Sequence, residues 1–353
     1  MAILDYFFSN RVDNIKTFPR KLQLPLNKSF LLYGARGVGK SYLIYDYLKR
    51  VKRRYLYIDC QDPIFIIEEL NLSELEQFIV EEKIELLILD HYFEGFLPSF
   101  PKVEQIIVIC RKEINLPFLS YKLYPLDFEE FLNFTKTFNI QSAFNLFSKK
   151  GSLPAVAKEE NIFIFKELFF EKFETQEGKV LLILALFNTK IVTTHQLYLR
   201  AKEYFKISKD WLYKTIKLFE EEEIIYQIDR IEKGFGKKLI LYDFAFSRYL
   251  NKSQTFLTTF DSIVALSLIK KNISILSLSN PIGYLTHTKE LILLAPFDSQ
   301  ESYWLKAQKY FLFIKKLSPK KITILTISTS YEFKIEHLTF RAIAFYEWVI
   351  GLE

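Results

Sequence analysis

Gly34-Ala35-Arg36-Gly37-Val38-Gly39-Lys40-Ser41 decides how the first part of this chain folds. Three of only ten glycines in 353 residues fall inside it, in a chain with under half the usual glycine share of about 7 %. Glycine concentrated in this way marks backbone that takes left-handed angles or comes close to a ligand. The octet fits G-x-x-x-x-G-K-[ST]. It follows the apolar run Phe30 to Tyr33 and precedes an amphipathic segment from Tyr42, so it reads as a loop between a strand and a helix. In that setting backbone N–H groups wrap phosphates, and the helix amino terminus adds its positive dipole end. Lys40 then reaches the β- and γ-phosphates, and the Ser41 hydroxyl holds Mg²⁺. The candidate nucleotide-binding residues are therefore Gly34, Ala35, Arg36, Gly37, Val38, Gly39, Lys40, Ser41 and Tyr42. A tight structural turn is the plainer alternative.

Outward from the octet, short apolar runs alternate with amphipathic segments up to about residue 150, the rhythm of an α/β domain. Candidate strands are Phe30 to Tyr33, Tyr55 to Asp59, Leu86 to Asp90, Gln105 to Cys110 and Tyr121 to Tyr124. Ser73 with Glu76, and Asp127 with Glu130, have capping-box spacing and predict helix starts. Five strands with crossover helices make an open sheet with a crevice at the strands' carboxyl ends. Leu86-Leu87-Ile88-Leu89-Asp90 ends in a carboxylate placed to approach Mg²⁺ through water.

Gly151-Ser152-Leu153-Pro154 interrupts this rhythm, and 155–178 reads as helical. Helices are then expected over Val180 to Phe187, from a Thr cap at Thr193 to Tyr204, and from a Ser cap at Ser208 to Glu222. Two strands, Ile224 to Ile231 and Lys238 to Tyr242, enclose a hairpin tipped by Gly234-Phe235-Gly236. Three helices and such a hairpin predict a winged helix-turn-helix. Lys209, Lys214 and Lys217 on its third helix, with Lys233, Lys237 and Lys238 around the hairpin, are the candidate DNA-phosphate contacts, opposed by the acidic run Glu220 to Glu223. Trp211, Tyr213 and Phe219 read mostly as core. The last hundred residues mix strands (Ile273 to Leu278, Glu290 to Ala295, Ile322 to Ile327) with helices (Phe256 to Lys270, Ser302 to Leu317, Thr339 to Ile350).

Composition narrows the class. Half the residues are hydrophobic, which excludes disorder as the main state. Two cysteines, Cys60 and Cys110, exclude a disulfide framework and read as reduced thiols at strand ends. Apolar runs such as Leu181 to Phe187 stop short of the roughly 20 residues of a membrane helix, and Asp5 stands where a basic leader would be. The expectation is a cytoplasmic protein without membrane contact. A net charge of +6 is too mild to argue for nucleic acid by itself.

Taken together, Gly34 to Ser41, Tyr57-Ile58-Asp59 with Asp62-Pro63, Leu86 to Asp90, Leu123-Tyr124-Pro125-Leu126-Asp127-Phe128-Glu129-Glu130-Phe131-Leu132 and Gly151 to Pro154 resemble the archaeal and bacterial AAA-type P-loop ATPases that carry a winged helix and a restriction-endonuclease-like carboxyl-terminal domain. The resemblance is good to about residue 250. It implies an α/β P-loop NTPase sheet in the order 5-1-4-3-2, then a winged helix and a small α/β domain. The corresponding boundaries are 1–150 for the ATPase domain, 151–252 for a helical lid and winged helix, and 253–353 for the last domain. It also implies ATP and Mg²⁺ as cofactors, with Ser41 and Asp90 as metal ligands.

Two departures qualify it. The family's water-polarising Glu after the Walker B Asp is His91 here, with Glu94 three residues on as a substitute only if the turn folds back. At the end of the fourth strand, Cys110-Arg111 replaces the small polar residue that senses the γ-phosphate. Asp90, His91, Glu94 and Arg111 are the catalytic candidates, and slow or partner-stimulated hydrolysis is the expectation. The nuclease positions fall near Gly283-Tyr284 and Ala295-Pro296-Phe297, without the required carboxylates, and Asp298 and Glu301 read as loop charges, so cleavage is not expected. A DNA-binding regulator with a structural P-loop and a protein-interaction scaffold are the alternatives. GTP in place of ATP, a protein partner, and an oligomer supplying an arginine finger all stay open.

Overall fold

The computed structural model describes residues 2–12, 14–137, 139–158 and 163–351. The chain divides into two compact units, residues 1–124 and 125–353.

The first unit contains, in order, α1 (Ala2–Ser9), β1 (Phe30–Tyr33), α2 (Lys40–Arg50), β2 (Tyr55–Asp59), α3 (Leu72–Glu81), β3 (Leu86–Asp90), β4 (Gln105–Cys110) and β5 (Leu119–Lys122). Its five strands are all parallel and run β2-β3-β4-β1-β5, which is the expected order read from the other edge. This is the P-loop NTPase fold. Every residue of β3 and β4 is buried, as expected for strands covered on both faces. Leu56, Ile58, Leu75, Phe78, Leu87, Leu89 and Val108 form one continuous core there, each fully buried side chain being worth about 1.5–3 kcal/mol.

Two boundaries move from their sequence-based positions. β5 begins at Leu119, not Tyr121, because pairing with β1 runs from Phe30↔Leu119 to Tyr33↔Lys122. Exposed Leu119 and Ser120 hide the strand from a hydrophobic reading. α3 starts at Leu72 under an Asn71 cap, whose side chain accepts from the Ser73 and Glu74 amides, so Ser73 does not cap it. The Asp127–Glu130 capping box is present in the second unit, opening α4 (Phe128–Thr135).

From there the second unit continues with α5 (Ile140–Lys150), α6 (Pro154–Lys158), α7 (Ile164–Lys172) and α8 (Thr175–Leu186), residues 159–162 of the helical reading lying outside the described ones. Gly151 closes α5 at φ +84°, and a Cβ there would lie 2.6 Å from the Asp243 carboxylate. That carboxylate accepts from the Ser152 amide and hydroxyl and from the Phe246 amide. The Gly-Ser-Leu-Pro string thus docks the end of α5 on a later helix start. β6 (Ile191–Val192), α9 (Thr194–Tyr204), α10 (Lys209–Glu221), β7 (Ile225–Ile228) and β8 (Lys237–Leu241) follow, with the strands in the antiparallel order β6-β8-β7. Thr193 and Ser208 cap α9 and α10 as expected.

The rest comprises α11 (Phe244–Leu250), α12 (Phe256–Lys270), β9 (Ile275–Ser279), β10 (Ile282–Thr286), β11 (Glu290–Leu294), α13 (Gln300–Leu317), β12 (Lys321–Thr326), β13 (Tyr331–Ile335), β14 (Leu338–Ala344) and α14 (Phe345–Ile350). Its mixed sheet runs β13-β14-β12-β11-β10-β9. The stretch expected as a helix over Thr339 to Ile350 is strand β14 and then α14. Phe340, Ala342 and Ala344 are buried alternately, and that period of two overrides the helical reading. Edge strand β9 is not bare: the Ser277 amide donates to Asp229 O at 2.8 Å and the Ile231 amide to Ser277 O at 3.0 Å, joining it to the chain beyond β7.

Candidate functional site

The loop between β1 and α2 is shaped by glycine where nothing else fits. Gly34 has φ +151°, and a Cβ there would lie 2.2 Å from the Leu123 carbonyl oxygen. Gly37 and Gly39 hold φ of +80° and +91°. The buried Lys40 ammonium donates to Gly34 O at 2.7 Å and Ala35 O at 2.9 Å, closing the loop on itself. Ala35, Arg36 and Val38 are buried, Ser41 is half-buried and Tyr42 is exposed. Among the described residues no side chain caps α2 and no acid stands in its first turn, so the helix's positive end is left to a ligand.

Arg20, which the sequence reading did not single out, braces this loop. Its guanidinium donates to Val38 O at 2.9 Å and to Tyr124 O at 2.8 Å. No local signal identifies it, because its partners lie 18 and 104 residues away.

At the carboxyl ends of the neighbouring strands, Asp59 and Asp90 stand at paired positions of β2 and β3. Asp90 is buried; its Oδ1 accepts from the His91 amide at 2.7 Å and its Oδ2 from the Tyr57 hydroxyl. Burial and the Asp90 charge push the Tyr57 hydroxyl well above its ordinary range, which keeps it a donor. His91 takes a left-handed φ of +53° and sets its Nδ1 2.9 Å from Asp59 Oδ1. That hydrogen bond raises the imidazole pKa, with help from the Asp90 charge and against the effect of burial. Arg111 donates to Gln61 Oε1 at 3.2 Å. Glu94 lies exposed in a turn closed by Phe96 N donating to Phe93 O. Cys60 and Cys110 are buried free thiols, Cys110 pushed up to about 12 chiefly by burial.

The structure thus gathers the glycine loop, Lys40 and Ser41 at the start of α2, and joins Asp90 to His91, Asp59 and Tyr57. Backbone amides, an ammonium and a hydroxyl can donate to a nucleotide's phosphate oxygens, and hydroxyl and carboxylate oxygens suit a hard cation such as Mg²⁺.

The second unit treats its candidates unequally. Lys209, Lys214 and Lys217 are exposed on α10, Lys209 over the Tyr213 ring and Lys217 4.0 Å from Glu221. Phe219 is core, Trp211 half-buried and Tyr213 exposed. Lys233 is exposed at the hairpin, and Lys237 pairs with Asp229 at 3.1 Å. Lys238 is not available to a ligand of the hairpin. It is 3 % exposed and pairs with Asp261 of α12 at 2.6 Å, where the Tyr284 hydroxyl also donates. Strand alternation in β8 turns it inward, a consequence invisible in a list of lysines. Gly283 and Tyr284 lie on β10, and Ala295 to Phe297 follow β11. Asp298 accepts from Lys306 and Ser302 beside the start of α13, and Glu301 from the Ser299 hydroxyl.

Residues 26–94 match a protein family described as an AAA domain. No curated protein matches the chain. Among solved structures, a Walker-type ATPase of Pyrococcus abyssi is similar at 14 % identity and a TM-score of 0.40, over 64 % of this chain and 91 % of that one. The ORC1 protein of Aeropyrum pernix, in a complex with DNA, is similar at 13 % identity and a TM-score of 0.33, over 64 % and 87 %. The RuvB Holliday junction branch migration motor of Thermotoga maritima is similar at 12 % identity and a TM-score of 0.32, over 60 % and 84 %. Among the described residues no helix is long and apolar enough to cross a membrane.

Proposed function

We propose that this protein is an AAA-type ATPase that binds ATP with Mg²⁺ and uses occupancy of the site as a conformational switch, with slow or partner-stimulated hydrolysis. The observation that carries this reading is the loop from Gly34 to Ser41, shaped by three positive-φ glycines and followed by a helix start without a side-chain cap. Gly37 and Gly39 admit the phosphates, Lys40 exchanges its loop carbonyls for phosphate oxygens, and Ser41 and Asp90 hold the cation. Bound Mg²⁺ neutralises charge that develops on the phosphates. Slow turnover follows from the position after Asp90. A histidine engaged by Asp59 occupies it, and Glu94 faces solvent, so the position itself carries no carboxylate to orient water. Arg111 is the cation placed at the end of β4 to answer phosphate charge.

The chain's parts are read as an ATPase domain over 1–150, a lid and winged helix over 151–252, and a non-cleaving nuclease-like domain over 253–353. Helices α8, α9 and α10 with sheet β6-β8-β7 support the winged helix. Exposed Lys209, Lys214 and Lys217 favour DNA contact through α10 rather than through the hairpin, whose Lys238 is sequestered.

Steady-state ATP turnover of the protein beside its Lys40→Ala variant tests the switch. Turnover well below one per second that Lys40→Ala abolishes is expected; brisk turnover that disappears in His91→Ala would instead make the histidine a working catalytic group.

A further inference from the structure

The end of α2 and the approach to β2 read Lys49-Arg50-Val51-Lys52-Arg53-Arg54, five cations in six positions. The nucleotide site uses none of them. Lys40 and this run stand at opposite ends of α2, whose 11 residues span about 16 Å.

Ordinary structural roles account for part of the run. Arg50 pairs with Asp46 at 3.7 Å, and Arg54 with Glu82. Lys49 and Arg50, in the last turn of α2, also face the helix's negative end. The remaining charge gathers around a cleft of about 340 Å³ lined by Arg11, Lys49, Lys52, Arg53 and Tyr55 with two aliphatic side chains. Among the described residues lining it, none is a carboxylate.

Neutral groups orient part of this charge. Arg53 donates to Gln105 Oε1 at 3.1 Å and Asn27 Oδ1 at 2.9 Å. Lys49 donates to the Thr17 hydroxyl at 2.8 Å, which in turn donates to Asp46. The Arg11 guanidinium lies 3.8 Å over the Tyr55 ring, and the Tyr55 hydroxyl accepts from the Val12 amide. The two amides set the Arg53 geometry without cancelling its charge. A cleft lined by one sign of charge concentrates its field on a counter-charged ligand, and guanidinium groups match phosphate oxygens in pairs.

We propose that this cleft is a second phosphate-binding site, separate from the glycine loop, for a ligand presenting two or more phosphate groups in series. A nucleic-acid strand and a free polyphosphate share that chemistry. The strand is favoured because Lys49 and Lys52 are both exposed and carry the cleft's charge out to the surface.

The test uses the whole protein in saturating ADP and Mg²⁺, so that any binding at the glycine loop is already satisfied. The probes are a labelled single-stranded oligonucleotide, followed by anisotropy, and tripolyphosphate, followed by calorimetry and by competition. Lys49→Ala with Lys52→Glu changes two exposed side chains, and Lys52→Ala alone is the milder variant; thermal unfolding checks that both fold. Lys214→Ala with Lys217→Ala reports separately on α10. At about 50 mM salt the double variant is expected to bind at least tenfold more weakly, Lys52→Ala several-fold. Its salt dependence should fall by about 1.4 in log–log slope for two lost contacts to a single strand. Oligonucleotide binding displaced by tripolyphosphate identifies a strand site; tripolyphosphate binding alone, lost in the double variant, identifies a free polyphosphate site. Absence of binding by either probe, or binding that the double variant leaves unchanged, overturns the proposal. The double variant leaves Gly34 to Ser41 unchanged, so failure here is distinguishable from failure of the ATPase reading, which Lys40→Ala tests.

Discussion

A guanidinium that holds a carbonyl also aims the N–H of the same peptide, because a planar trans peptide points the two in opposite directions. Arg20 holds Val38 O, so it turns the Gly39 amide away from itself. Arg20→Ala is expected to weaken ATP binding about tenfold, near 1.4 kcal/mol, with Arg20→Lys recovering part of it, as measured by calorimetry. Tyr57 has a comparable role at Asp90. Removing its hydroxyl in Tyr57→Phe leaves a buried carboxylate oxygen without that donor, at a cost of about 1.5–3 kcal/mol, readable by urea unfolding without nucleotide. For His91 the sign follows from its raised pKa. Stability from the Asp59 contact is fully present below the ordinary imidazole pKa and is lost as pH rises through the folded value. The stability gap between the protein and Asp59→Asn should therefore be widest near pH 5.5 and narrow toward pH 8.5.

Elements were legible where one pattern governed them. β1 to β4 stand at their expected residues because buried parallel strands are continuous apolar runs. α12 likewise spans Phe256 to Lys270 as expected. β5 was displaced because an edge strand carries exposed Leu119 and Ser120, and β10 and β13 were missed. Tyr331–Ile335 shows only Phe333 buried, too little contrast for periodicity to find. The glycine loop was legible because its geometry is local. Arg20 was not, and Tyr57 and Asp59, legible only as part of a motif, gave no sign of their contacts with Asp90 and His91, because these arise from strands and segments brought together by the fold. Gly34→Ala would set a methyl 2.2 Å from Leu123 O, backbone that cannot move aside. Loss of nucleotide binding with a lowered melting temperature is expected.

At the scale of the molecule, the second unit is fastened by a few buried polar groups amid aromatic packing. Phe128, Phe144, Phe147, Phe244, Phe260 and Phe345 stack edge-on or tilted between α4, α5, α11, α12 and α14. Lys238 and Asp261 link β8 to α12, and Tyr284 adds β10. Lys238→Ala leaves Asp261 buried without its cation and should destabilise the protein by about 3–5 kcal/mol. Lys238→Ala with Asp261→Ala should recover part of that loss in thermal unfolding. Such a joint ties the three-helix region to the last sheet within the second unit. Occupancy of the glycine loop by ATP would set the proposed switch. Isothermal titration of ATP with Mg²⁺ into the protein and into Lys40→Ala measures it directly. Saturable one-to-one binding weakened at least tenfold by Lys40→Ala is the result predicted; no binding, or equal binding by both proteins, would contradict it.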